Sequence, residues 1–208
     1  MSVKLLRLFI AVELSPELRR ALGQVQADLQ RALPAGAVRW TRPDGIHLTL
    51  KFLGDTPQEQ TAAIVEGMTA AAAGFEPCEL RVAGFGVFPH VRQPRVLWVG
   101  LPAVPRPLAG VQRALDLHLS RLGYPREMRP FSPHLTLGRV NDRGRAAERQ
   151  ALSAALGRVQ VGELGQVAVR EMVLFQSDLR PDGAVYTALA CAPLAAGRVR
   201  SETGPSGG

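Results

Sequence analysis

Cysteine and long apolar runs are both scarce in this chain of 208 residues, and each scarcity excludes a class of protein. Cys78 and Cys191 are the only cysteines, so the chain carries no disulfide framework and no Cys-x-x-Cys pair. No stretch approaches the roughly 18 apolar residues of a membrane-spanning helix. Residues 1–14 lack the apolar core and small-residue cleavage site of a signal peptide. We therefore expect a cytoplasmic protein with free thiols and no membrane partner.

Lysine is nearly absent as well, because Lys4 and Lys51 stand against 23 arginines. The 25 basic and 18 acidic residues give a formal net charge of +7, which favours an anionic partner, with nucleic acid first. An arginine-rich composition can also reflect genome composition. The sequence has no His-x-x-x-His motif, no Cys/His cluster, no Walker loop and no dinucleotide fingerprint. We therefore expect no metal, no cofactor and no ATP-driven step.

Apolar periodicity predicts one domain over residues 1–194, followed by a flexible tail at 195–208. Predicted strands occupy residues 7–12, 46–53, 79–88, 95–101, 134–140, 167–176 and 185–192. Predicted helices begin at a capping Ser15, at the Thr56-Pro57 pair, at Pro105 and at Ala146, and they end near residues 33, 73, 122 and 156.

The two halves of the chain resemble each other. Arg7 lies 40 residues before His47, and Arg95 lies 39 residues before His134. Each half runs strand, helix, histidine-bearing strand, helix and strand. Such internal similarity predicts two lobes that face each other across a pseudo-two-fold axis.

Two of the four histidines stand in identical tetrads, His47-Leu48-Thr49-Leu50 and His134-Leu135-Thr136-Leu137. Strand alternation directs the leucines of each tetrad to the core and the histidine and threonine to the opposite face. Continued alternation would bury Phe52 with the leucines and place Lys51 beside the histidines. A pair of imidazoles and a pair of hydroxyls suit a phosphodiester. One imidazole accepts a proton from the attacking oxygen, the other protonates the leaving oxygen, and the hydroxyls hold the non-bridging oxygens.

The paired His-x-Thr-x motifs, 87 positions apart, resemble those of the two-histidine phosphoesterase superfamily. The stretches RLFIAVEL at 7–14 and RVLWVG at 95–100 narrow the resemblance. With Pro133 before the second tetrad and Gly138-Arg139 after it, the chain is similar to RNA 2′,3′-cyclic phosphodiesterases, also called 2′-5′ RNA ligases. The resemblance covers residues 3–194.

That resemblance implies an α+β fold in which two antiparallel sheets flank a central cleft, with helices on the outside. It implies metal-independent opening of RNA 2′,3′-cyclic phosphate ends to 2′-phosphates, with reverse 2′-5′ joining in some members. By motif position, His47 would protonate the departing O3′, His134 would activate water, and Thr49 and Thr136 would grip the phosphate. We expect RNA ends as the partner and a monomer, although the sequence leaves the oligomeric state open.

Two neighbouring residues are further candidates for substrate contact. Phe9 lies opposite the apolar face of its strand, so it is placed to stack on a base or to pack in the core. Arg139 would contact phosphate or a base, but only if its strand twists or bulges, because alternation directs it away from His134. Trp98 is predicted to be a core residue.

Two other functions remain open at this point. One is a two-histidine phosphoesterase for a small cyclic nucleotide. The other is a non-catalytic RNA-binding module, which the intact histidine and threonine pairs disfavour, because phosphate binding alone would tolerate Lys or Arg at those positions.

Overall fold

The computed structural model describes residues 3–141, 146–180 and 183–195, so the predicted tail lies outside the described residues from residue 196 onward. Its strands are β1 (Leu5–Val12), β2 (Val38–Trp40), β3 (Leu48–Pro57), β4 (Cys78–Ala83), β5 (Phe85–His90), β6 (Gln93–Gly100), β7 (His134–Val140), β8 (Glu163–Val169), β9 (Glu171–Arg180) and β10 (Gly183–Pro193). Its helices are α1 (Pro16–Ala32), α2 (Thr61–Ala72), α3 (Arg106–Ser120) and α4 (Ala146–Leu156), with short 3-10 helices at Pro43–Gly45 and Gln58–Gln60.

The strands form two antiparallel sheets, which confirms the predicted α+β class. The larger sheet has the order β10-β9-β1-β3-β7-β6-β5, with β2 also paired to β7, and β4 pairs with β8 in a second, two-stranded sheet. Within the larger sheet, β3 and β7 are joined by the single pair Leu48 and Leu135. These leucines hold equivalent positions in the two tetrads. The two histidine strands therefore meet at equivalent residues, as the predicted pseudo-two-fold axis requires.

The helices pack against the face of the sheet that carries the tetrad leucines. Leu48, Leu50, Leu135 and Leu137 are at most 4% exposed and belong to the main hydrophobic core. In the lobe that carries His47, which we call the first lobe, α2 contacts β9 and β10, and α3 contacts both α2 and β3. In the lobe that carries His134, which we call the second lobe, α1 contacts β8 and α4 contacts β6. We call the opposite face of the larger sheet, which carries the tetrad histidines and threonines, the histidine face.

The first helix begins as predicted, but the second does not. The Ser15 side chain accepts a hydrogen bond from the Leu18 amide at 3.2 Å, and Pro16 occupies the first turn. The Thr56-Pro57 pair, predicted to open a helix, still belongs to β3, where it pairs with Leu6 and Leu5 of β1. Pairing with β1 overrides the local capping signal, and α2 begins only at Thr61.

Two predicted strands are each divided in the structure. Residues 79–88 separate into β4 and β5 at Gly84, whose φ of +79° is readily adopted only by glycine. Residues 167–176 separate into β8 and β9 at Arg170. The early parts of both strands pair with each other, while the later parts enter the larger sheet. The three-residue strand β2 was not predicted at all.

Both histidine strands carry a β-bulge at the third residue after the histidine. Along β3, Thr49 pairs with Ala11 and Lys51 with Ile10, which leaves Leu50 without a partner in the register. Along β7, Thr136 pairs with Trp98 and Gly138 with Leu97, which leaves Leu137 as the extra residue. A bulge interrupts the alternation of faces, so the side chains that follow each tetrad point to the face opposite the one that strict alternation predicts.

The bulge at Leu50 makes the predicted orientations of Lys51 and Phe52 wrong. Lys51 turns into the protein at 8% exposure, where its ammonium forms an ion pair with Asp116 of α3 and donates to the Pro125 carbonyl. Phe52 turns to the histidine face and is 67% exposed. In the parts of the chain that the structure describes, no helix has the length and apolar character needed to cross a membrane.

Candidate active site

The structure brings the four predicted tetrad side chains together on the histidine face. His47 immediately precedes β3 and His134 is the first residue of β7, so they flank the Leu48–Leu135 pair. In this antiparallel register His47 lies beside Thr136, and Thr49 lies beside His134. All four side chains are half-buried. The site therefore presents two imidazoles and two hydroxyls to one small region of the surface.

Each imidazole is oriented by the same backbone contact. His47 Nδ1 lies 2.9 Å from the carbonyl oxygen of Gly45, and His134 Nδ1 lies 2.8 Å from that of Ser132. A carbonyl oxygen can only accept, so Nδ1 carries the proton in both rings. Nε2 is then free in each ring to accept or to donate a proton. The sequence contained this signal, because both acceptors lie two residues before their histidine.

His47 lies in an aromatic environment that disfavours its charged form. Phe9 stacks on the imidazole with ring centroids 4.6 Å apart, and Tyr186 approaches it edge-on at 5.2 Å. Burial lowers the pKa of His47 to about 4, and the positive charges of Arg19 and His134 act in the same direction. The hydrogen bond to the Gly45 carbonyl opposes this shift. In the free protein, His47 is therefore neutral near pH 7.

Different aromatic residues surround His134. Phe88 meets the imidazole edge-on with ring centroids 5.0 Å apart, and Trp98 lies 6.3 Å away. Trp98 pairs with Thr136 and is half-buried on the histidine face, so its prediction as a core residue was wrong. Its indole lies flat against Gly86, where a Cβ added to the glycine would come within 2.1 Å of the ring. The two histidines thus share their motif but differ in their surroundings.

Of the two placements predicted for Phe9, base stacking or packing inside the protein, the structure favours packing. Phe9 faces the histidine side as predicted, but it is only 3% exposed and stacks between His47 and Phe175, whose ring centroid lies 5.3 Å away. No face of this ring is open to a base. The neighbouring exposed aromatic is Phe52, which pairs with Phe9 across the strands at a centroid distance of 6.1 Å. The sequence did not reveal Phe52, because a bulge sets its direction.

Arg139 reaches the histidine face because the bulge at Leu137 reverses the alternation of its strand, as its predicted role required. Its side chain is exposed, and its charge partly offsets the rise that burial causes in the pKa of Tyr186, in the first lobe. The Leu137 carbonyl accepts hydrogen bonds from the Thr41 amide at 2.9 Å and from the buried Gln26 side chain at 2.8 Å. These two donors stabilise the bulge that directs Arg139.

The bulge after each tetrad brings one further side chain to the histidine face, and the two side chains differ in chemistry. Phe52 lies five residues after His47, and Arg139 lies five residues after His134. Both follow a bulge and both face the histidine side.

Among the residues that the structure describes, no group of three or more His, Cys, Asp or Glu side chains is placed to hold a metal ion.

Comparison with known protein families identifies the family of this chain. The LigT like Phosphoesterase family matches residues 12–98 and again residues 99–186, and each tetrad histidine lies 35 positions after the start of its match. This chain belongs to the LigT-like phosphoesterase family. The resemblance to two-histidine phosphoesterases is thereby confirmed, and the double match agrees with the internal repeat.

Several relatives are similar over most of their length. The chain is 35% identical to a protein of Methanothermobacter thermautotrophicus named RNA 2′,3′-cyclic phosphodiesterase, over 87% of this chain and 95% of the relative. A protein of Thermus thermophilus with the same name is 32% identical over 88% of each chain. Among solved structures, E. coli LigT complexed with 3′-AMP superposes with a TM-score of 0.73 at 27% identity, covering 92% of this chain and 99% of LigT.

Proposed function

We propose that this protein hydrolyses RNA 2′,3′-cyclic phosphate ends to 2′-phosphates, with His47 and His134 as the proton-transfer pair. The observation that carries the proposal is the pair of imidazoles, each anchored through Nδ1, beside two threonines on one face. This set matches the needs of phosphodiester hydrolysis, which requires one proton acceptor, one proton donor and hydrogen bonds to the non-bridging oxygens. The names of the relatives support the same substrate class.

In the proposed reaction, the Thr49 and Thr136 hydroxyls donate to the non-bridging oxygens of the cyclic phosphate. Nε2 of His134 accepts a proton from water as the water oxygen bonds to phosphorus. The bond between phosphorus and O3′ breaks, and Nε2 of His47 donates its proton to O3′. The products are a 2′-phosphate and a free 3′-hydroxyl. His47 must therefore be protonated in the substrate complex, although it is neutral in the free protein.

For substrate contact we propose Phe52 in place of Phe9. A ring that is 67% exposed beside the site offers a stacking surface for the terminal base, as aromatic residues do for single-stranded RNA. Arg139 would contact the substrate from the second lobe. Phe9 would instead support His47, on which it stacks.

Three finer points belong to the same proposal. The reaction proceeds without metal, because the two imidazoles supply both proton transfers. In the joining reaction a 5′-hydroxyl attacks phosphorus in place of water and the bond to O3′ breaks, which gives a 2′-5′ linkage without ATP because the cyclic ester stores strain. The protein acts as a cytoplasmic monomer, and its two free cysteines fit a reducing compartment.

Product analysis tests this function. An oligonucleotide with a 2′,3′-cyclic phosphate end is incubated with the protein in EDTA, and the product is treated with a 3′-specific phosphatase. We expect turnover to a 2′-phosphate that resists this phosphatase, with loss of turnover in His134→Ala. Failure in EDTA that a divalent ion reverses would contradict the two-histidine mechanism. Turnover of cyclic mononucleotides alone would favour the small-nucleotide alternative, and binding without turnover would favour an RNA-binding module.

A further inference from the structure

Two arginines face each other across β2 and β7. Arg39 is the direct partner of Arg139 in this antiparallel pair. The adjacent pairs, Val38 with Val140 and Trp40 with Gly138, turn toward the hydrophobic core. Alternation then directs both arginines to the histidine face. We call Arg39 and Arg139 the arginine pair.

The arginine pair carries an electrostatic cost that no group among the described residues offsets. Like charges directly opposite each other in an antiparallel pair destabilise the sheet. Both side chains are exposed, and within residues 3–141, 146–180 and 183–195 neither guanidinium has an ion-pair or hydrogen-bond partner. Two guanidinium groups on directly opposed residues are suited to an anion that accepts hydrogen bonds from both. The planar guanidinium group also matches the geometry of phosphate well.

The position of the arginine pair separates it from the reacting phosphate. Arg139 lies three residues beyond Thr136, which is about 10 Å along a strand, somewhat shortened by the bulge. Arg39 lies on β2, which pairs with β7 beyond the point where β3 pairs with it, so Arg39 stands level with Arg139 and not with the Leu48–Leu135 pair. The charge of Arg139 acts on Tyr186 of β10, in the first lobe, and lowers its pKa against the effect of burial. The arginine pair therefore borders the site without coinciding with it.

We propose that the arginine pair binds the internucleotide phosphate that precedes the cyclic end of an RNA chain. This inference rests on the proposed function and narrows its substrate class, because a cyclic mononucleotide has no such phosphate. The protein would then prefer the ends of RNA chains over free cyclic nucleotides. The net charge of +7 acts in the same direction at longer range.

Three substrates isolate the charge of that phosphate. They are guanosine 2′,3′-cyclic phosphate, the dinucleotide ApG with the same cyclic end, and that dinucleotide with a neutral methylphosphonate linkage. We expect the wild-type kcat/KM for the charged dinucleotide to exceed that for each other substrate by about five- to thirtyfold, as for partly exposed charge-assisted contacts. The methylphosphonate separates the phosphate charge from stacking by the additional base.

Substitution of Arg39 tests the protein side. Arg39→Gln should bring the ratio of charged to neutral dinucleotide close to one and should flatten the salt dependence of KM, while Arg39→Lys should keep part of the preference. Arg81→Gln is the matched control, because Arg81 is an exposed arginine on the separate β4–β8 sheet, and the ratio should stay as in the wild type.

Two results would overturn the inference while leaving the proposed function intact. One is equal wild-type turnover of the charged and neutral dinucleotides. The other is an equal loss on all three substrates in Arg39→Gln, which would place Arg39 at the reacting phosphate. If the wild-type protein turns over none of the three substrates, the proposed function fails and the inference fails with it.

Discussion

Binding of an anion between the two histidines should raise the pKa of His47 enough to make it a proton donor. In the free protein, burial lowers this pKa to about 4, so less than one imidazole in a hundred carries a second proton at pH 7. A general acid must be protonated before it can act. The role that the family resemblance implies for His47 therefore depends on what the substrate does to its pKa.

The size of the effect follows from the geometry of the site. A phosphate oxygen that contacts Nε2 brings a negative charge within about 4 Å of the imidazolium, which contributes about 4 kcal/mol at an effective dielectric constant of roughly 20. Since one pKa unit corresponds to about 1.4 kcal/mol, one negative charge raises the pKa by about 3 units. The pKa of His47 then moves from about 4 to roughly 7 in the complex, which suits proton donation at neutral pH.

An NMR titration measures this shift directly. The Cε1 resonances of the four histidines are followed against pH, with and without sulfate, whose charge is constant over the titration. His47→Gln identifies the His47 resonance. Thr136→Val serves as the control, because losing one hydroxyl that is placed to hold the anion should reduce the sulfate-induced shift.

Two outcomes would refute the reasoning at different steps. A pKa near 6.5 for His47 in the free protein would mean that the aromatic surroundings do not desolvate it. A pKa that stays near 4 at saturating sulfate would mean that an anion cannot protonate His47. In the second case the roles exchange, with His47 accepting the proton from water and His134 protonating the leaving oxygen. The position of the phosphate in the product, on O2′ or on O3′, then shows how the substrate is oriented.

Three further results are expected. His47→Ala and His134→Ala should each lower kcat by about 10²–10⁴, and the double variant should lose less than the product of the two, measured by single-turnover kinetics. Asp116→Ala should lower the free energy of unfolding by about 3–5 kcal/mol in urea because it leaves the Lys51 ammonium buried and unpaired, whereas Lys51→Met with Asp116→Leu should recover most of the loss. Phe52→Ala should raise KM for a purine nucleoside 2′,3′-cyclic phosphate by about tenfold or more, while Phe52→Trp should not; an unchanged KM in Phe52→Ala would remove the stacking role.

The arrangement of the two tetrads could be predicted from the sequence because their geometry is local. Within His47-Leu48-Thr49-Leu50, two-residue alternation alone decides which side chains share a face, and the structure agrees with it. The second tetrad stands at the equivalent position of the other half of the repeat, which is also visible in the sequence. The expectation that the two tetrads meet also followed from the repeat, and the Leu48–Leu135 pair confirms it.

The residues beyond the tetrads could not be placed, because a bulge depends on the partner strand. Leu50 is extra only relative to the register with β1, and Leu137 only relative to the register with β6. Neither relation is visible in the six or seven residues around it. Lys51 shows the consequence, since its buried partner Asp116 lies 65 residues away on α3. A composition rule would have kept that lysine at the surface.

Identical tetrads cannot by themselves assign different roles, so the difference must come from their surroundings. His47 packs against Phe9 and Tyr186, and burial lowers its pKa. The bulge after each tetrad then presents an aromatic ring, Phe52, in one lobe and a guanidinium, Arg139, in the other. With the proposed contacts, a nucleotide would place its base on Phe52 in the first lobe and its preceding phosphate on Arg139 in the second, and it would bind in only one direction. The same bulges that defeat simple alternation would then remove the two-fold ambiguity of the paired motif.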